Sequence, residues 1–362
     1  MKILPTYLSA MLAVTMILTS GTTCWAQASG SIPGTRSSTL PGLNYFASFG
    51  RFFEGDYRDA ERDFRSASRR AYRLGTQRYV DSICYWTMQA ECYYHMGNYA
   101  EAINLYEQAL NLYLNHQNAS WQNRIETQTI SIQRDNSAIA RARINWGVSK
   151  RINGIANIPD SFQVRFGNRD VIRTIQRGGI VQDAENRLVN VTEIMRCVSL
   201  CLHRRRTING PIAKLDPLTS RLVSGLKKGI AGDGSILGCY NGICLGIAYA
   251  SQEEWSKASQ IFKRSLTLSS GLDHPLTAVG LLESAYIGVS LENDQVAADL
   301  ALEASYSAAI FDQYDLVADI DTGNDDPSKN KSQRISAASQ QYCLGKIKQR
   351  KSDGSHLDRS LS

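Results

Sequence analysis

Residues able to do chemistry are scattered along this chain of 362 residues rather than gathered into one constellation. Cys197-x3-Cys201 with His203 nearby places two thiols and an imidazole close together, part of a zinc site. No second ligand pair accompanies them and the segment is patterned as a helix, so the thiols read as small apolar groups and no metal is assigned. Asp273-His274-Pro275 sets an acid beside an imidazole. No nucleophile stands close in sequence, and an Asp at a helix N-cap followed by Pro in the first turn accounts for the same residues as capping. Gly229 and the residues up to Gly234 read GIAGDG, but without the strand and Lys that a phosphate cradle needs, this is a loop. His95, His116 and His356 are not spaced for a metal. No G-x-S-x-G, H-E-x-x-H or GxxxxGK[ST] occurs. The expectation is a protein that is not an enzyme, with no catalytic residues, no metal and no cofactor. Arg204-Arg205-Arg206 could meet an acidic partner, but the preferred reading is a solvated helix end that complements the helix dipole.

The elements that must hold these residues start after a leader. Lys2 precedes the apolar run LSAMLAVTMIL at residues 8–18, followed by Ser20, Gly21 and the small-residue site Cys24-Trp25-Ala26. This is the pattern of a secretory signal peptide over residues 1–26, cut after Ala26 or Ala28. The run is shorter than the ~20 residues of a membrane span, so no stable span is expected after cleavage. Residues 27–42 are rich in Ser, Gly, Thr and Pro and read as a flexible leader. Cleavage leaves Cys84, Cys92, Cys197, Cys201, Cys239, Cys244 and Cys343, an odd number without a regular framework. In an oxidising compartment one bridge could still form among them. With 43% hydrophobic residues the chain can bury a sizeable core, and a net charge of +6 spread between helices argues against nucleic acid.

Along the rest of the chain one pattern of sizes recurs. Trp86, Ala90 and Tyr93 share a helical face, Gly97-Asn98 offers a turn, and Ala102, Tyr106 and Ala109 repeat the spacing on a second helix. This resembles a tetratricopeptide repeat (TPR) unit. Gly55-Asp56-Tyr57 with Ala60, Phe64 and Ala67 repeats its second half, after an aromatic stripe of Tyr45, Phe46, Phe49, Phe52 and Phe53. Leu245-Gly246-x2-Tyr249 with Trp255, Ala258, Phe262 and Ser265 is a third unit. Leu282, Tyr286 and Val289 with Ala298, Leu302 and Ser305 are a weaker fourth. Ala60 to Ala102 is a step of 42 and Ala258 to Ala298 a step of 40, longer than the ordinary ~34 and similar to the repeats of kinesin-light-chain-like bacterial TPR proteins.

The resemblance implies an all-α fold, a TPR helical-hairpin solenoid. One pair of repeats spans residues 43–118 and another 236–316, interrupted by a partly irregular insertion at 119–235. In the insertion, residues 127–133 and 162–166 alternate like short strands, and helices resume at 192–206 and after Asp216-Pro217-Leu218. Residues 317–362 form a polar tail expected to be disordered.

TPR arrays bind protein or peptide partners on a concave face lined by the first helix of each pair. Thr87, Met88, Glu91, Tyr94 and His95 match that face in the best repeat, as do Ile243 and Ile247 in the third. The Lys and Asn set of a carboxylate clamp is missing, and the mixture suits an extended or helical apolar peptide. Packing of the same residues against the insertion is the equal alternative. The expected function is an exported TPR scaffold for protein–protein interaction in the periplasm or at the cell surface of a bacterium. The alternative is a regulatory or substrate-recruiting subunit of an envelope enzyme such as a protease. An enzyme with its site in the insertion would need a pocket there lined by converging acids or His.

Overall fold

The computed structural model describes residues 39–117, 133–134, 155–157, 159–166, 185–228, 236–268, 272–313 and 316. The signal-peptide segment, the leader up to residue 38, residues 127–132, the GIAGDG loop and the polar tail lie outside the described residues.

The fold is an all-α repeat solenoid made of helical hairpins. Helices α1 (Leu43–Ala47), α2 (Phe49–Phe53) and α3 (Tyr57–Ser68) come first. Then follow α4 (Ser82–His95) and α5 (Tyr99–Gln117), the pair read from Trp86 onward. Ala90, Ala102, Tyr106 and Ala109 are all buried, as interlocked small and large residues require. The hairpin closes on Gly97, whose φ of 77° is the left-handed region, with Asn98 N–H bonded to Tyr93 O. The same closure recurs at Gly55, where Asp56 N–H bonds Arg51 O.

On the C-terminal side stand α8 (Ile236–Ser251), α9 (Trp255–Leu268), α10 (Thr277–Ser290) and α11 (Asp294–Ile310). Gly246 lies under the ring of Phe262, where a Cβ would sit 2.6 Å from the ring. That close approach explains the glycine of the L-G-x2-Y element. Here the closures fall on Glu253 and Glu292, with φ of 60° and 56° and the same bonds, Glu254 N–H to Tyr249 O and Asn293 N–H to Gly288 O.

Helices α6 (Val191–Asn209) and α7 (Pro217–Lys228) come from the middle segment. The Asn190 side chain caps α6 by accepting Glu193 N–H at 2.8 Å. Its predicted apolar face, Ile194, Met195, Val198 and Leu202, is buried. α6 packs on α4 and α5 along one side and on α8 and α10 along the other, while α7 packs on α8 and α5. The helices of the middle segment therefore stand between the two repeat pairs and join them in one core. A small sheet flanks it, ordered β1 (Thr39–Leu40), β7 (Glu185–Asn190), β6 (Ser161–Phe166). β6 contains the alternating 162–166 stretch, with Phe162, Val164 and Phe166 buried. Short ribbons pair β2 (Arg73–Leu74) with β3 (Gln77–Arg78), and β4 (Gln133–Arg134) with β5 (Ala156–Asn157). Among the described residues no helix is long and apolar enough to cross a membrane.

Three local expectations need correction. Thr39 and Leu40, read as leader, pair in parallel with β7, and Leu40 is buried. The aromatic helix before α3 is broken at Ser48, whose hydroxyl donates to Asn44 O at 2.9 Å and competes with the backbone ladder. Asp273 does not cap α10, whose N-cap is Leu276. It is buried, its carbonyl accepts Ala156 N–H at 2.8 Å, and His274 closes the linker by accepting Leu276 N–H on Nδ1 at 3.2 Å. Asp216 does cap as expected, accepting Leu218 N–H at 2.7 Å.

Candidate interaction face

Four of the five residues that match a TPR binding face on α4 are turned toward α6. Thr87 is buried and its hydroxyl lies 3.1 Å from the Cys201 thiol. Met88 is buried, with its sulfur 3.6 Å from the Arg196 guanidinium. Glu91 is buried and takes a two-pronged bond from Arg204, Nε at 3.0 Å and Nη2 at 2.9 Å, together with the Tyr106 hydroxyl. Burial, then the Glu91 carboxylate, pushes the Tyr106 hydroxyl well above its usual range. Tyr94 is half-buried, its ring 4.1 Å beneath the Arg204 guanidinium. Ile243 and Ile247 on α8 are also buried. Inner-face residues of both repeat pairs thus support neighbouring helices rather than line an open groove.

The Arg triplet was read as a solvated helix end, and the structure overturns this. Successive helical residues point about 100° apart, so the three arginines reach three different elements. Arg204, with no exposed surface, meets Glu91 on α4. Arg205 meets Glu107 on α5 at 3.2 Å, Thr219 on α7 at 2.9 Å and the Asp216 carboxylate. Arg206 meets Glu283 on α10 at 2.8 Å, and His203 Nδ1 lies 2.7 Å from the same carboxylate. These ion pairs clamp α6 to both halves of the array.

No reactive centre emerges from the described residues. Among them no three His, Cys, Asp or Glu side chains converge as a metal site would require. Cys239 and His274 make the nearest approach to a nucleophile and base, Sγ to Nε2 at 3.3 Å. Leu276 N–H donates to Nδ1, so Nε2 carries the proton and cannot take one from the thiol. The thiol donates instead to Ser265 O at 3.0 Å, and burial pushes it up to about 12. A small cleft between α6 and α10, lined by Arg196, Ser199, Leu200 and Val279 and closed by Gln313 and Leu316, contains no acid or imidazole.

An open apolar surface lies at the closed end of the first hairpins, beside His95. The His95 ring stacks on Tyr57 at 4.7 Å and meets the Phe52 edge at 5.6 Å. Ring contacts continue from Phe52 to Phe53 at 5.9 Å, and from His95 through Tyr94 to Tyr99 at 5.5 Å each. Phe53, Met96 and Tyr99 are 51%, 40% and 50% exposed. Sequence reasoning included Tyr94 and His95 but missed Phe53, Met96 and Tyr99. Their signal was available, since each flanks a Gly-based closure and so must stand at the same end of the array.

The tetratricopeptide repeat family matches residues 84–116, which are α4 and α5 almost from end to end. No curated protein matches the chain. One hairpin of this all-α repeat solenoid thus matches a tetratricopeptide repeat, a unit that suggests a protein-interaction scaffold.

Proposed function

We propose that this protein is an exported TPR scaffold of the long-step, kinesin-light-chain-like kind, without catalysis of its own. It docks an apolar segment of a protein partner on the aromatic cluster at the closed end of its first two hairpins. The observation that carries this reading is the unbroken chain of rings from Phe53 to Tyr99, with exposed apolar surface at both ends, in an array whose inner α4 face is filled by α6. Exposed apolar surface that is contiguous, rather than scattered singly, marks an interaction site. Tyr94 and His95 belong to the docking surface itself. Thr87, Met88, Glu91, Ile243 and Ile247 act behind it by fixing the helices. The charged, apolar and small-residue order of residues 1–26 supports export, to the periplasm or the cell surface of a bacterium.

The test is affinity capture from envelope extract with the mature protein and with the Phe53→Ser/Tyr99→Ser double variant, both checked for unchanged helical circular dichroism. A partner recovered by the wild type and lost by the variant is the expected result. Equal recovery by both would remove the aromatic cluster from the function. Amino-terminal sequencing of the protein isolated from cells should begin at Gln27 or Ser29, and a start at Met1 would exclude export by this route.

A further inference from the structure

α4 and α6 run side by side in the same direction, and their facing residues meet in a ladder. Thr87 meets Cys201, and one turn further Glu91 meets Arg204. One turn before Thr87, the same register brings Cys84 opposite Cys197, and the two thiols are near neighbours. Both residues are fully buried. The Tyr45 hydroxyl of α1 closes over them, 3.6 Å from Cys197 Sγ.

We propose that Cys84 and Cys197 are joined by a disulfide in the exported protein, stapling α4 to α6. Cys201 and Cys239 are set for different contacts. Cys201 is one turn from Cys197 on the same helix, where Cβ atoms stand about 5–6 Å apart, beyond the roughly 3.5–4.5 Å that a disulfide spans. Its thiol faces Thr87, and that of Cys239 donates to Ser265 O.

The reaction is thiol–disulfide exchange with an oxidised dithiol protein. One chain thiolate attacks the donor disulfide, forming a mixed disulfide and releasing one donor thiolate. The second chain thiolate then attacks the chain sulfur of that mixed disulfide and releases the other. The chain loses two protons and two electrons, and the donor becomes a dithiol. Exchange needs a thiolate, and burial together with the neighbouring Cys197 thiol raises the Cys84 thiol well above its ordinary range. The closed loop runs from residue 84 to residue 197, so the bridge restrains a long stretch of the unfolded chain.

The bridge in the cell rests on the export reading, whereas the pairing does not. The full chain is therefore refolded from urea in a mixture of oxidised and reduced glutathione, and the same protein is isolated from the envelope under alkylation. Both are mapped as non-reduced peptides with fragmentation. The expected product links Cys84 to Cys197 in both samples. It survives Cys92→Ser and Cys201→Ser, vanishes in Cys84→Ser, and its reduction lowers the urea midpoint of the wild type. Free, alkylated Cys84 and Cys197 in the refolded protein, or Cys197 linked elsewhere, would overturn the pairing. A link in the refolded protein with free thiols in the envelope sample would overturn the bridge in the cell and the oxidising location with it.

Discussion

The contact of α4 with α6 and the contact of α8 with α10 join neighbouring helices of the same array with opposite chemistry. Between α8 and α10 the fit is apolar and small: Ile243 lies against Gly280 without a charge between them. Between α4 and α6 it is a thiol pair, a hydroxyl on a thiol, and a buried Glu91–Arg204 ion pair. The difference follows from how each helix arrives. α10 follows α9 after a short linker, so the chain itself limits where it can lie. α6 begins at Val191, while α5 ends at Gln117. An apolar face accepts a neighbour shifted by a turn, whereas directional partners accept one register.

Breaking the ion pair should give the largest effect. Arg204→Ala leaves Glu91 charged and buried, and a loss of about 3–5 kcal/mol is expected in urea unfolding. Glu91→Met/Arg204→Met should recover most of it while weakening hydrogen-exchange protection along α6. Full protection in the double variant would show that the apolar face fixes the register unaided.

Asp81, just before α4, sharpens the comparison because it is a buried acid without an ion pair of this kind. Its carboxylate accepts Tyr72 N–H at 3.0 Å, yet burial raises it to about 7 against the ordinary 3.8. The folded state holds its proton where the unfolded chain has lost it. This contribution is intact below about pH 4, falls as pH rises toward 7 and is level above that. Asp81→Asn should therefore stabilise the protein at pH 8, by on the order of 2–4 kcal/mol, and flatten the decline between pH 4 and 7. An unchanged slope would show that Asp81 ionises freely in the fold.

The apolar contacts offer a matched pair of smaller effects. Gly246→Ala drives a methyl into Phe262 and should cost about 1–3 kcal/mol. Gly280→Ala places its Cβ at 3.5 Å from Ile243, an ordinary contact, and should gain up to about 1 kcal/mol from helix propensity. Thermal unfolding of the two variants checks both signs. Smallest of all, Tyr99→Ser at the exposed turn should change stability by no more than about 0.5 kcal/mol, so any loss of partner binding would be read free of unfolding.

The hairpins were legible because their information is local: Ala and Tyr at helical spacing on either side of a closure say which faces pack. The roles of the Arg triplet were not. Arg204 and Glu91 are 113 residues apart, and Arg206 and Glu283 are 77 apart. Nothing near the triplet distinguishes a buried clamp from a solvated end. Asp273 misled for the reverse reason, since Asp before Pro satisfies a local capping rule and its burial comes from elements far along the chain. The face residues Thr87 to His95 lie on α4, but which neighbour they would meet depended on α6, whose partners could not be read from its own pattern.

One feature of the hairpins reaches beyond this molecule's stability. Four closures carry the same backbone bonds, on glycine in two and on Glu253 and Glu292 in two. Glu292→Gly should relieve a left-handed conformation worth about 1 kcal/mol, measurable as a rise in the unfolding temperature. That such a cost is tolerated means the closure is imposed by the packed helices and not by the residue at its corner. A duplicated or deleted hairpin would then bring its own working loop with it, and an ancestor of this chain could have lengthened or shortened without inventing a new turn.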